Sequence, residues 1–212
     1  MSENRVQSHK TIKRTLIFAA ALVVVVGLFF IISIGRNVSL NQPDIKVQYK
    51  SGWATEVAAA GLNNCYKVSD DLYRGAQPTE EGIKGLQKLG VKTIVNLRSF
   101  HSDGDEIADA NVAYEHLYVK AWHPEEKEVV GFLKTVTDKS KTPVFVHCQH
   151  GSDRTGTMCA VYRIAVQNWS KEDALEEMTT GPFGFHKEWQ NLIGYIRQLD
   201  IEKMKKEAGL TL

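Results

Sequence analysis

Cysteine is scarce in this chain, with only three among 212 residues. An odd number that small cannot build a disulfide scaffold, so a hydrophobic core has to hold the fold. A charge excess is also missing: 26 Lys+Arg face 25 Asp+Glu for a formal +1. That balance speaks against a nucleic-acid binder, which carries a clear basic surplus. There is no internal repeat and no low-complexity tract. Hydrophobic content of 43% and charge of 24% exclude a disordered chain. The length fits one ordinary domain plus an appendage rather than two full domains.

The near-neutral total hides an uneven distribution. Residues 1–44 carry five basic and two acidic side chains, or +3, which leaves −2 for the remainder. Leu16 to Ile34 is a run of about 19 residues with no charge. As a helix at about 1.5 Å per residue it reaches roughly 28 Å, enough for a hydrocarbon core. The run is longer than a signal-peptide core, and Ile34-Gly35-Arg36-Asn37 makes a poor cleavage site. An uncleaved signal anchor is the expectation, with a cleaved signal peptide as the alternative. Arg5, Lys10, Lys13 and Arg14 precede the run, opposed only by Glu3. The positive-inside rule then gives a cytoplasmic tail at 1–15, a membrane span at 16–34, a linker at 35–61 and an extracytoplasmic (periplasmic) domain at 62–212.

Within that domain, element types alternate. Cys65–Val68 and Leu72–Tyr73 read as short strands, Thr79 as a cap for a helix to Leu89, and Gly90 as its stop. Lys92–Leu97 is a β-branched strand, His101–Asp105 a polar loop, and Ala113–Val119 another strand. Pro124 opens a helix to about Asp138, and Pro143–His147 is a short buried strand. Helical patterns follow at Arg154–Gln167, Lys171–Thr179 and Lys187–Lys206. Strands alternating with helices predict an α/β fold with a largely parallel central sheet flanked by helices.

The chemistry concentrates in PVFVHCQHGSDRTGTM, residues 143–158. A buried strand ends at His147, Cys148 starts a loop, and Arg154-Thr155-Gly156 opens a helix. Successive N–H groups of residues 149–154 can wrap the oxygens of a phosphate monoester, helped by the positive helix end. Gly151 lets the main chain turn without a Cβ clash. Arg154 offers a planar donor pair for two phosphoryl oxygens. Cys148 faces the same donors, a setting that favours the nucleophilic thiolate.

This His-Cys-x5-Arg-Thr pattern, His147 to Thr155, resembles the cysteine-dependent protein tyrosine phosphatase superfamily. DLYRGAQPTEEGIKGLQKLGVKTIVNLRS and GPFGFHKEWQNL resemble its compact, dual-specificity-like bacterial members. The resemblance implies a phosphatase-like sheet and a two-step reaction. Cys148 would take the phosphoryl group, and water would release it. Arg154, with Gln149, His150, Gly151, Ser152 and Asp153, would bind the phosphate. Thr155 would hydrogen-bond the Cys148 sulfur, and His147 would orient the loop through backbone groups. No metal or organic cofactor is implied.

The chain departs from that pattern at the general acid, an aspartate usually found on a separate loop. LYVKAWHPEEKEVV, residues 117–130, has none, and Ala121 or Trp122 stands in its place. Asp153 is the leading candidate, with Glu125, Glu126, Asp103 and Asp105 behind it. Trp122, His123 and His186 are candidate pocket residues; Trp122, Trp169 and Trp189 otherwise read as core. A Cys65–Cys159 disulfide is left open. The expected substrate is a phosphorylated protein. The alternatives are an inositol phosphate, phosphoinositide or other small ester, which an extracytoplasmic location would favour, and a phosphate-binding pseudophosphatase.

Overall fold

The computed structural model describes residues 50–107 and 110–210, which fall in the compact unit Tyr49–Leu212. Six strands form one sheet: β1 (Thr55–Glu56), β2 (Tyr66–Lys67), β3 (Leu72–Gly75), β4 (Thr93–Asn96), β5 (Ala113–His116) and β6 (Val144–His147). Their spatial order is β1-β2-β3-β6-β4-β5. The first three pair antiparallel, whereas β3, β6, β4 and β5 run parallel. The expected α/β sheet is mostly parallel, with an antiparallel edge.

Strand periodicity divides the core in two. Leu72, Val95, Val144 and Val146 face one cluster, while Tyr73, Ile94 and Phe145 face the other. Because both faces are covered, every residue of β4 and β6 is buried. Helix α1 (Glu80–Lys88) covers the smaller cluster with Ile83 and Leu86. Thr79 accepts a hydrogen bond from Gly82 N, and Gly90 follows the helix at φ +80°, matching the expected cap and stop. The larger cluster lies beneath α3 (Glu126–Thr137), α4 (Asp153–Ala165), α5 (Lys171–Thr180), α6 (Gln190–Gln198) and α7 (Ile201–Ala208).

Several expectations need correction. Lys187–Lys206 is two helices, because Leu199 is extended and Asp200 caps α7 by accepting from Lys203 N at 3.0 Å. The polar loop 101–105 runs into a short helix, α2 (Gly104–Ile107). Within the stretch expected as linker, Thr55–Glu56 pair with β2 in the sheet, Ala54 N donates to Glu177 Oε1 at 2.7 Å and Val57 N to Cys65 O at 2.9 Å. All three cysteines are free, and Cys65 and Cys159 lie in different clusters, so they do not pair. Burial pushes both thiols up to about 11.

The single-pass membrane placement is also corrected. Among the described residues no helix is long and apolar enough to cross a membrane. The longest, α4, has 13 residues. At about 1.5 Å per residue it spans roughly 20 Å, short of a hydrocarbon core of roughly 30 Å. An extracytoplasmic domain loses its basis with the anchor. The apolar stretch 16–34 lies outside the described residues.

Candidate active site

Strand β6 delivers Cys148 to the carboxyl edge of the parallel sheet, where it is buried at 3% exposure. This is the edge at which open α/β sheets bind ligands. Gly151 turns the loop at φ +74°. A Cβ there would lie 2.5 Å from the Gly75 carbonyl carbon, so both conformation and space demand glycine. Ser152 precedes α4 but does not cap it, because its Oγ donates to Phe183 O at 2.7 Å. Among the described residues, none of the N–H groups of 149–154 finds an acceptor. Six main-chain donors at a helix start are thereby left for an anion.

Arg154 sits in the first turn of α4, its guanidinium held by Leu97 O at 3.3 Å and Val119 O at 3.5 Å. The loops after β4 and β5 therefore fix the arginine and form the mouth of the site. Phe100, Tyr118 and Trp122 on these loops are 98%, 62% and 60% exposed. Trp122 is thus not core, and Trp169 and Trp189 are only half-buried. Thr155 Oγ1 is buried without a hydrogen-bond partner, so the expected bond to the Cys148 sulfur is not made.

Behind the loop, His147 and Asp103 are fully buried and joined by a 2.7 Å bond from Nε2 to Oδ2. The other ring nitrogen lies 3.2 Å from Cys148 O, which links the pair to the cysteine's own peptide. Asn96 and Gln77 donate to Asp103 Oδ1 at 2.8 and 2.9 Å. Burial pushes the Asp103 carboxyl up, but the His147 bond and the other donors outweigh it and hold it below its ordinary value. Asp103 is therefore a buried carboxylate acceptor rather than a proton donor. His101, Asp103 and Glu106 bring possible metal-ligand atoms within 4.8 Å of one another. The Asp103 oxygens, however, are already taken by Asn96, Gln77 and His147.

Two residues that sequence reasoning passed over also shape the loop. Arg74, 1% exposed, donates to Gly151 O at 2.7 Å and lies 3.8 Å over the Phe183 ring. Asn64, at φ +51°, donates to both His150 O and Phe183 O. Arg74 follows the expected strand Leu72–Tyr73 inside the DLYRG stretch, and Asn64 precedes the expected strand Cys65–Val68, positions that carry no local signal of a role.

Asp105 lies in the first turn of α2, and Glu125, Glu126 and Asp153 separate clearly. Glu125 caps α3 in a reciprocal box with Glu128. Hydrogen bonds from Lys120 and Lys127 pull its carboxyl down to about 2. Glu126 is exposed and paired with Lys203. Asp153 accepts at both oxygens from His186, at Oδ1 from the main-chain N (3.0 Å) and at Oδ2 from Nδ1 (2.8 Å). The hydrogen bond to Asp153, followed by its charge, raises the pKa of His186 above its ordinary 6.5. His123 packs edge-on against Tyr195.

A buried cysteine at the end of a central parallel strand, followed by a loop of unpaired amides and an arginine at a helix start, is the arrangement of cysteine-dependent phosphatases. Residues 56–191 match the family described as PTP-NADK, DSP-PTPase phosphatase fused to NAD+ Kinase, and the chain belongs to that family. It is 37% identical over 145 residues to the dual specificity protein phosphatase TpbA of Pseudomonas aeruginosa (strain UCBPP-PA14). That match covers 67% of this chain and 65% of the relative, so the chain spans slightly less than two thirds of TpbA's length. A crystal structure of P. aeruginosa TpbA in complex with pTyr superposes with a TM-score of 0.68 at 32% identity, covering 76% of this chain and 99% of that one. An Arabidopsis thaliana protein named inositol diphosphatase DSP5 is 27% identical over 125 residues, 54% of this chain and 59% of its own.

Proposed function

We propose that this chain is a phosphomonoester hydrolase of the tyrosine/dual-specificity type, acting on phosphorylated protein through a cysteinyl-phosphate on Cys148. The catalytic unit of this reading includes β1 (Thr55–Glu56), which pairs with β2. In the first step the Cys148 sulfur attacks phosphorus, and the S–P bond forms as the ester P–O bond breaks. The amides of Gln149, His150, Gly151, Ser152 and Asp153 and the Arg154 guanidinium take the equatorial oxygens. Water then attacks phosphorus, releasing inorganic phosphate and the thiolate. The observation that carries this reading is the row of unpaired amides between buried Cys148 and Arg154.

Two features support an aromatic phosphoester on a protein. Phe100, Tyr118 and Trp122 expose apolar rings on the loops that hold Arg154. The relative TpbA is a dual specificity protein phosphatase by name and is seen with pTyr. The alternative, a small ester such as an inositol phosphate, draws support from the relative DSP5. Gln149, His150 and Ser152 add no fixed positive charge for a polyphosphate, and the argument from an extracytoplasmic site has lost its basis.

A phosphate-release panel on the full chain separates the readings, using phosphotyrosine and phosphothreonine peptides, phosphoinositides and inositol hexakisphosphate. Turnover of phosphotyrosine peptide well above the inositol substrates is expected, and the reverse order would select the small-ester reading. Hydrolysis that survives Cys148→Ser would overturn the mechanism.

A further inference from the structure

The region that ordinarily supplies the proton donor has no free carboxylic acid to give one. Ala121 has no ionisable group, Glu125 caps a helix between two lysines, and Glu126 is tied to Lys203. Asp103 is buried against His147. Asp153 lies beside Arg154, yet both of its oxygens already accept hydrogen bonds from His186.

The segment that carries His186 rests directly on the phosphate-binding loop. Ser152 Oγ donates to Phe183 O, and Asn64 bridges Phe183 O to His150 O. The His186 ring stands 5.9 Å from that of His150 and remains 43% exposed beside the loop. Asp153 fixes its orientation through Nδ1, which leaves Nε2 as the group able to hand over a proton.

We propose that His186, oriented by Asp153, is the general acid and base of the reaction. This inference rests on the phosphatase reading above. In the first step the Nε2 proton passes to the departing oxygen as the P–O bond breaks and the S–P bond forms. In the second, neutral Nε2 takes a proton from the attacking water as the S–P bond breaks, which regenerates the imidazolium. The charged and titratable groups around the ring are Asp153, Glu188 and His150, and the hydrogen bond to Asp153 favours the protonated form most.

The test compares two esters on the full chain. Phenyl phosphate has a leaving group that needs protonation, whereas the leaving group of 4-nitrophenyl phosphate needs it far less. His186→Gln is expected to lower kcat on phenyl phosphate by roughly 10²-fold or more, with a loss at least tenfold smaller on the nitrophenyl ester. Asp153→Asn should move the alkaline limb of the wild-type profile to lower pH, because it removes the partner that raises His186. Equal loss on both esters, or an alkaline limb unmoved in both variants, overturns the inference alone. A wild-type chain inactive toward both esters overturns the phosphatase reading, and this inference with it. Thermal unfolding of each variant separates lost chemistry from lost structure.

Discussion

Asp103 Oδ2 and His147 Nε2 stand 2.7 Å apart with both side chains wholly buried, and His147 reaches on to the peptide of Cys148. Removing one member of such a pair strands the other without solvent. Asp103→Ala should therefore cost on the order of 3 kcal/mol. The carboxyl is held below its ordinary 3.8 in the fold. Its contribution is thus complete above 3.8 and is lost as pH falls below that, through the folded value. Urea unfolding across pH 3–7 should show Asp103→Asn with less acid sensitivity than wild type (~pH 4 and below). An identical pH slope in both proteins would contradict this.

Gly151 is the second fixed point. A Cβ there meets Gly75 at 2.5 Å and must also adopt φ +74°. Gly151→Ala should destabilise the domain by about 1–3 kcal/mol and remove most turnover, because the amides can no longer converge. The urea-denaturation midpoint and the affinity for vanadate should fall together.

Much of this was legible in the sequence for physical reasons. Caps such as Thr79 and stops such as Gly90 act on their own neighbours, and the Cys148–Arg154 spacing lies within one loop, so local reading finds them. The partners of these residues are not local. His147 meets Asp103 across 44 positions, and Asp153 meets His186 across 33. The same limit hid Arg74, whose bond to Gly151 O spans 77 positions. At Leu199–Asp200, capping by Asp200 overrides an apolar pattern that runs through both helices.

Arg74 gives a prediction that separates loop order from stability. Its Nε is buried without a partner, and among the described residues no carboxylate pairs with it. Replacing such a cation by an apolar side chain of similar length is often close to neutral for folding. Arg74→Met should therefore change unfolding free energy by no more than about 1 kcal/mol. Vanadate should bind roughly tenfold more weakly, because a charge-assisted bond worth about 1.5–3 kcal/mol no longer holds the Gly151 carbonyl. Unchanged vanadate affinity would show that the loop keeps its shape without Arg74.

Glu125 provides the matching control. Its hydrogen bonds to Lys120 and Lys127 and its capping box make it a structural carboxylate. Glu125→Gln should lower the melting temperature slightly and leave the pH profile of kcat in place. A lost or shifted alkaline limb would return Glu125 to the list of proton donors.

The last prediction concerns the mouth of the site. Tyr118 stacks on His116 at 3.9 Å, and His116 Nε2 lies 2.6 Å from Arg98 O, so the exposed Tyr118 ring stands on a supported base. Trp122 is anchored through its carbonyl by Asn191 while its ring faces solvent. The residues flanking a phosphotyrosine can pack on such faces, whereas a small phosphate ester does not extend that far. Aromatic contacts of this kind contribute about 0.5–1.5 kcal/mol each, roughly two- to twelvefold in KM. Tyr118→Ala and Trp122→Ala should raise KM for a phosphotyrosine peptide by that much, with kcat little altered. Neither change should affect KM for 4-nitrophenyl phosphate by more than about twofold. An equal rise for both substrates would mean that the rings position Arg154 through the Leu97 and Val119 carbonyls instead of contacting the peptide.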